Sequence, residues 1–348
     1  MSFLEKLTTH TKTIREKIKT NKVLARIYIS PLQISRRIVQ ILSLIALNLL
    51  FFKELTYVKE LSFLTDNQYY KYFIEELEKA LPYIQQYLPE LPIVQSIASP
   101  YTTIPGLFDV LQLRMTSPDF PFLEIAIVML TAAVVGRGFC GWVCPFGFLQ
   151  DILYKIPTPK YKPSYNTNKE LAQIKYIFLG FALLLSAWVG IAKWMGSASG
   201  LIKALGVFSR APWAVLDPVT TLEAFIPWMF KNNVFAEIED ITDIFSWNMF
   251  FWIRIGFLVF VIILSIVIQR GYCRYICPMG ALMALFSKYS IITMKINPVR
   301  YENIKECEDI CPMGVRFPKS GSIRSPECIN CGLCASKCPN KAIKPGIL

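Results

Sequence analysis

The sequence predicts an all-α membrane bundle of about four transmembrane helices, with a small cytoplasmic α+β domain at its C-terminal end. Three observations predict it. Hydrophobic residues make up 53% of the 348 positions and charged residues only 18%, against about 25% charge in an average soluble domain. Four apolar stretches are each long enough to cross a bilayer, which takes about 20 residues. All ten cysteines follow residue 139, in four ordered groups. This composition excludes a disordered tail and a collagen-like chain. The formal charge of +12 would suit a nucleic-acid binder, but the apolar content assigns the basic residues to loops beside a membrane, so no nucleic-acid partner is expected.

Residues 1–36 read as a basic cytoplasmic segment and 37–295 as the bundle. The spans run at about 37–57, 119–138, 172–195 and 248–269. Lys53 and Glu54 mark the ragged edge of the first. No small-residue cleavage site follows it, so it reads as a retained helix and not a signal peptide. Basic residues set the orientation. Segments 1–37, 137–170 and 270–348 together hold 26 basic and nine acidic residues, while 53–119 and 196–247 hold eight basic and fifteen acidic. That is +17 against −7. Both termini of this multi-pass cell-membrane protein are therefore expected in the cytoplasm.

The two extracytoplasmic segments, 58–118 and 196–247, are expected to cap the bundle. In the first, Tyr70, Phe73, Ile74 and Leu77 share a helical face, and Pro82 is expected to kink or restart that helix. In the second, Trp213, Phe225, Trp228 and Phe230 alternate with Pro212, Pro218 and Pro227, a pattern of short interfacial helices. Glu124 and Arg254 lie in spans near their outer ends. They are expected to be interfacial or paired with each other.

His10 is the single histidine. A bis-histidine haem, a histidine-ligated copper or iron centre and a Ser-His-Asp triad are thereby excluded. Without a Cys-x-x-Cys-His run, no haem is expected.

The second and fourth spans end alike. Arg137-Gly-Phe-Cys140-Gly-Trp-Val-Cys144-Pro145-Phe-Gly147 and Arg270-Gly-Tyr-Cys273-Arg-Tyr-Ile-Cys277-Pro278-Met-Gly280 match at a constant offset of 133 residues. The duplication, at 140–145 and 273–278, implies a pseudo-two-fold and puts four thiols at the cytoplasmic mouth of the bundle. A reducing compartment argues against disulfides. Zinc is a poorer fit than iron–sulfur, because the thiols carry Cys-Pro signatures and no histidine.

The segment 296–348 holds the most specific signal. Cys328-Ile-Asn-Cys331-Gly-Leu-Cys334-Ala-Ser-Lys-Cys338-Pro339 is the complete run of a bacterial [4Fe–4S] ferredoxin. An upstream half run, Cys307-Glu-Asp-Ile-Cys311-Pro312, keeps only its third and fourth positions. Its first two would fall at Tyr301 and Ile304. The fourth cysteine of each run serves the other cluster, so Cys311 with Cys328, Cys331 and Cys334 completes one cubane in a ferredoxin-like [4Fe–4S] domain.

Ten thiols make two cubanes the simplest count. The second has two constructions. Cys307 and Cys338 are joined by two thiols from among Cys140, Cys144, Cys273 and Cys277, or those four hold a cluster across the pseudo-two-fold and leave Cys307 and Cys338 spare. The first is favoured, because ferredoxin folding brings the third cysteine of one run beside the fourth of the other.

Over about residues 120–345 these motifs resemble the membrane polyferredoxins of the NapH/NosR type. The resemblance implies a membrane iron–sulfur electron-transfer subunit. It would pass electrons between the quinone pool and the other subunits of a membrane oxidoreductase complex, with a quinone as a further ligand. Carried over, Cys140, Cys144, Cys273, Cys277 and the ferredoxin cysteines are the redox-site residues. Two departures stand out: cysteine is absent at 301 and 304, and there is no long flavin-binding extracytoplasmic domain. Assembly factors of the CcoG type look similar around such motifs. They imply an alternative, a redox factor that reduces a metal or cofactor while a respiratory enzyme matures.

Overall fold

The computed structural model describes residues 30–48, 68–87, 90–99, 102–117, 120–231, 249–301, 304–338 and 341–347. Most of the basic N-terminal segment, the far half of the first span and residues 232–248 lie outside the described residues. So do the side chains of Tyr70, Phe73, Leu77, Phe230 and Ile304.

Helix α1, Pro31–Leu47, starts from Ser30, whose hydroxyl accepts from the Gln33 N–H, with proline in the first turn. Its polarity is inverted: it buries Gln33, Arg36 and Gln40 while exposing Ile34, Ile38, Ile41, Leu42 and Ile45. That suits a helix with protein on one side and lipid on the other. Helix α2, Gln68–Tyr87, contains Pro82 and runs through it without restarting. Helix α3, Leu107–Met115, opens behind Gly106.

Helix α4, Phe122–Val135, has 14 residues, about 21 Å of rise and short of a hydrocarbon core of about 30 Å. Gly136, at φ 63°, ends it before the expected span does. The five-residue α5, Gly138–Trp142, and α6, Pro145–Leu153, follow. Helix α7, Ile174–Trp194, has 21 residues. Together with Tyr165–Leu171 it forms one of the two helices among the described residues that are long and apolar enough to cross a membrane. The other is α8, Met249–Val267, of 19 residues. The five-residue α9, Gly271–Tyr275, and α10, Pro278–Ser287, complete the second half. Strands β1, Ile292–Ile296, β2, Gly321–Ser322, and β3, Ile343–Ile347, form an antiparallel sheet in the order β2-β1-β3. Its register pairs Met294 with Pro345 and Lys295 with Ser322. Helix α11, Leu333–Lys337, packs on β3.

The halves α4-α5-α6 and α8-α9-α10 repeat one order: an apolar helix, a five-residue helix carrying a cysteine, then a helix that a second cysteine caps and proline opens. The two halves interlock. The Tyr161 N–H donates to the Val267 carbonyl at 3.1 Å, bringing the chain after α6 to the end of α8. The Ile291 N–H donates to the Ala133 carbonyl at 2.9 Å, bringing the end of α10 to the end of α4. Between those levels, α10 packs against α4, α7 and α3. Cys140 and Cys144 flank Gly141, which meets the Ile329–Cys331 loop, while Cys277 borders Ile93, Val94 and Gly106. Helix α3 and the short helix Pro212–Leu216 likewise pack on α7.

Candidate iron–sulfur centres

The conserved pattern within the repeat acquires a physical reading residue by residue. Cys144 and Cys277 stand at the N-caps of α6 and α10, and Pro145 and Pro278 occupy first-turn positions that need no N–H. The Gly280 N–H donates to Cys277 Sγ at 3.3 Å, and Gln150 Nε2 to Cys273 Sγ at 3.0 Å. The arginines cross over. Arg137 Nη2 donates to the Cys273 carbonyl at 3.0 Å, and Arg270 Nη1 to the Cys140 carbonyl at 2.6 Å. Each half thus secures the cysteine turn of the other. The later glycine of each motif makes the space. A Cβ on Gly280 would stand 2.7 Å from Arg137 Nη2, and one on Gly147 2.8 Å from the Cys140 carbonyl and 3.2 Å from Arg270 Nη1.

Cys140, Cys144, Cys273 and Cys277 are all buried, within electrostatic reach of one another. Burial pushes the Cys144 thiol up to about 12, and Cys273 and Cys140 push the same way. Cys277 is raised well above its ordinary value by burial and then by Cys273, Cys140 and Cys144. Four thiols in a dry site are poor thiolates unless cations offset them. Arg137 and Arg270, both 0% exposed, stand beside them.

A second thiol group surrounds a cavity in the C-terminal domain, lined by Cys311, Cys328, Cys331 and Cys334 with Met294, Phe317 and Ile323. Burial raises Cys328 to about 12 and Cys311 to about 11, each with Cys331 adding to the rise. The Val315 N–H approaches Cys311 Sγ at 3.5 Å. Amide donors at sulfur, apolar walls and four thiols suit a [4Fe–4S] cubane. Among the described residues, no three cysteine, histidine or carboxylate side chains converge closely enough to hold a single metal ion. A cubane, with each thiolate on a separate iron, takes a wider cage.

Cys307 and Cys338 stand side by side, with Cα atoms 5.1 Å apart and their sulfurs joined. Ferredoxin folding sets the third cysteine of one run beside the fourth of the other. Tyr301 is 7% exposed, and its hydroxyl has no partner among the described residues.

The two thiol groups meet through one loop. Gly141 packs on the Ile329 carbonyl and the Cys331 backbone, where a side chain would not fit. Trp142 Nε1 donates to the Asn330 carbonyl at 3.0 Å, and Gln33 Nε2 to the Cys331 carbonyl at 3.1 Å. Glu327, next to Cys328, receives Arg137 Nη1 at 2.8 Å and the ammonium of the buried Lys175. Burial alone would raise that carboxyl; Arg137 and Lys175 outweigh it and hold it below the ordinary carboxylate value.

Sequence reasoning missed Asp151. It takes Arg270 Nε at 2.9 Å, Arg36 Nη2 at 2.6 Å and Arg37 Nη1 at 3.0 Å. Burial raises it, but the three guanidiniums hold it well below the ordinary carboxylate value. Glu327 and Lys175 were missed too. All three partner across more than a hundred residues, and no local pattern marks such pairs. Glu124 and Arg254 are not paired with each other. Glu124 takes Arg114 at 3.3 Å, and Arg254 Nε donates to the Val215 carbonyl at 2.7 Å.

Comparison with known proteins agrees with this arrangement. A family described as a 4Fe–4S binding domain matches residues 121–163 and 249–297, one stretch in each half, and a second family of the same description matches 323–344. An uncharacterized protein of Methanocaldococcus jannaschii is 25% identical over 224 residues, 63% of this chain and 76% of the relative. The ferredoxin-type protein NapH of Haemophilus influenzae is 25% identical over 240 residues, 65% of this chain and 69% of its own. The regulatory protein NosR of Stutzerimonas stutzeri is 27% identical over 233 residues, 63% of this chain but only 27% of NosR. No solved structure matches the chain.

Proposed function

We infer function from the premise that this chain is a membrane 4Fe–4S polyferredoxin of the NapH/NosR type, with an iron–sulfur electron-transfer role. In our reading it passes single electrons between the quinone pool and a partner oxidoreductase of the same membrane, through two cubanes. Cys311, Cys328, Cys331 and Cys334 hold one. Cys140, Cys144, Cys273 and Cys277 hold the other across the pseudo-two-fold, because all four are buried within electrostatic reach of one another. Four spans with both termini cytoplasmic belong to the same reading, which rests on the charge asymmetry of the sequence.

One observation carries it: Arg137 bridges the two cysteine-bearing segments. Its guanidinium donates to the Cys273 carbonyl and pairs with Glu327, the residue before Cys328. When bound, each cubane supplies a one-electron couple. The protein's part is to hold the two sites in contact, exclude water and offset charge. Arg137 and Arg270 neutralise buried thiolates, Glu327 and Lys175 clamp the ferredoxin loop, and Gly141 lets that loop reach the bundle.

The test is reduction of the detergent-solubilised full chain by duroquinol, followed by EPR. Both cluster signals should change redox state in turnover with a stoichiometric partner complex, and Glu327→Gln should slow electron exchange between them. Clusters that duroquinol never reduces would reject the quinone-linked reading. Activity only in catalytic amounts during maturation of another enzyme would favour the assembly-factor role.

A further inference from the structure

A further cavity belongs to neither cysteine group. It measures about 740 Å³ and lies among the outer segment 207–229, the loop at Ile97 and the first turn of α8, within the size range of small-molecule sites. Phe225, Trp228, Phe250 and Phe251 supply aromatic wall, and Arg254 stands over the Phe225 ring at 4.8 Å. The cavity's polar lining is Arg210, Arg254 and Thr220. Thr220 is 4% exposed, and its hydroxyl has no hydrogen-bond partner among the described residues. A threonine in a helix ordinarily returns its hydroxyl to a carbonyl one turn back, as Thr221 does to Asp217 at 3.1 Å. Thr220 leaves a buried donor available, and such a group is costly unless something accepts from it.

The segment Trp213–Thr220 has two sides. Ala214, Val215 and Thr220 face this cavity. Trp213 and Asp217 face a second, small one, together with Tyr272 and Cys277. Tyr272 donates to Asp217 Oδ1 at 2.6 Å and precedes Cys273. The segment Trp213–Thr220 thus lies between the apolar cavity and Cys277. The cavity wall also includes the end of a helix able to cross the bilayer, so an apolar ligand can arrive from lipid.

We propose that this cavity binds the ring of an isoprenoid quinone, with the Thr220 hydroxyl donating to a ring carbonyl. The aromatic walls match a flat apolar ring, the unpartnered Thr220 hydroxyl can donate to its oxygen, and the segment shared with the small cavity at Cys277 puts the ring near one repeat thiol. The proposal rests on the quinone-linked reading but adds a location to it.

Decylubiquinone binding to the full chain in detergent, read by quenching of tryptophan fluorescence, tests the site. Thr220→Val keeps the volume and removes the donor, and should weaken binding about five- to tenfold. Ala214→Phe fills the cavity and should weaken it more. Thr220→Ser restores the hydroxyl and should bind like the unaltered protein, with iron content unchanged in all three. Equal affinity across the variants, or quenching that follows detergent partitioning alone, overturns the site. Duroquinol reduction of the clusters is scored separately: reduction that survives every pocket variant leaves the quinone-linked reading intact and places its ligand elsewhere.

Discussion

Asp151 is the residue whose loss should be felt most. It is buried and carries three guanidiniums, two of them within 2.9 Å. Removing one partner of a buried ion pair costs about 3–5 kcal/mol, and Asp151→Asn should lower unfolding stability in detergent by that order. The pH dependence follows from the direction of its shift. A carboxyl held down in the folded state adds stability that is complete above its unfolded value of about 4 and is lost as pH falls below it. The acid limb of the melting profile should flatten in Asp151→Asn. An unchanged limb would mean that the network is not what acid breaks. The two motif glycines make a finer comparison. Gly147→Ala sets a methyl 2.8 Å from a backbone carbonyl, while Gly280→Ala sets one 2.7 Å from a guanidinium tip. Backbone yields less than a side chain, so Gly147→Ala should be the more damaging, both within the overpacking range of about 1–3 kcal/mol. The matching glycines were legible at their constant offset. What they accommodate was not, because the arginine each one admits comes from the other half of the chain.

At the scale of elements, the cysteine groups divide cleanly. If the repeat and the ferredoxin run each hold a cubane, iron should stand at about eight per chain. Cys277→Ser and Cys331→Ser should each remove about half of it, with loss of different EPR signals. Cys307→Ser should leave iron content unchanged, since both cubanes are complete without its sulfur. A loss of iron in Cys307→Ser would restore the construction that joins this pair to the repeat thiols. The ferredoxin run and the duplication could be read directly from spacing. The short helices α5 and α9 could not, because a five-residue helix has too few turns to show a period. The same limit explains the expected second span. Its apolar run extends to the arginine, but Gly136 turns the chain after fourteen helical residues.

For the whole molecule, charge asymmetry predicts that tags at residues 1 and 348 are shielded from membrane-impermeant label in intact cells. Labelling of either from outside would overturn the four-span topology. Composition pointed this chain to a membrane, and cysteine spacing pointed its C-terminal segment to iron–sulfur chemistry. Both were silent on the outer cavity, whose walls come from segments up to about 150 residues apart and whose Thr220 looks ordinary in a list of residues.

The crossed arginines have an evolutionary corollary. Arg137 serves the turn at Cys273, and Arg270 the turn at Cys140. Neither half is chemically complete by itself, since each holds the counter-charge its twin requires. A primordial single-motif peptide with the same contacts would have been competent only as a symmetric pair of identical subunits, each lending its arginine across the dyad. In the single chain the two copies differ: one receives the ferredoxin loop through Gly141 and Trp142, and the other faces Asp217 through Tyr272.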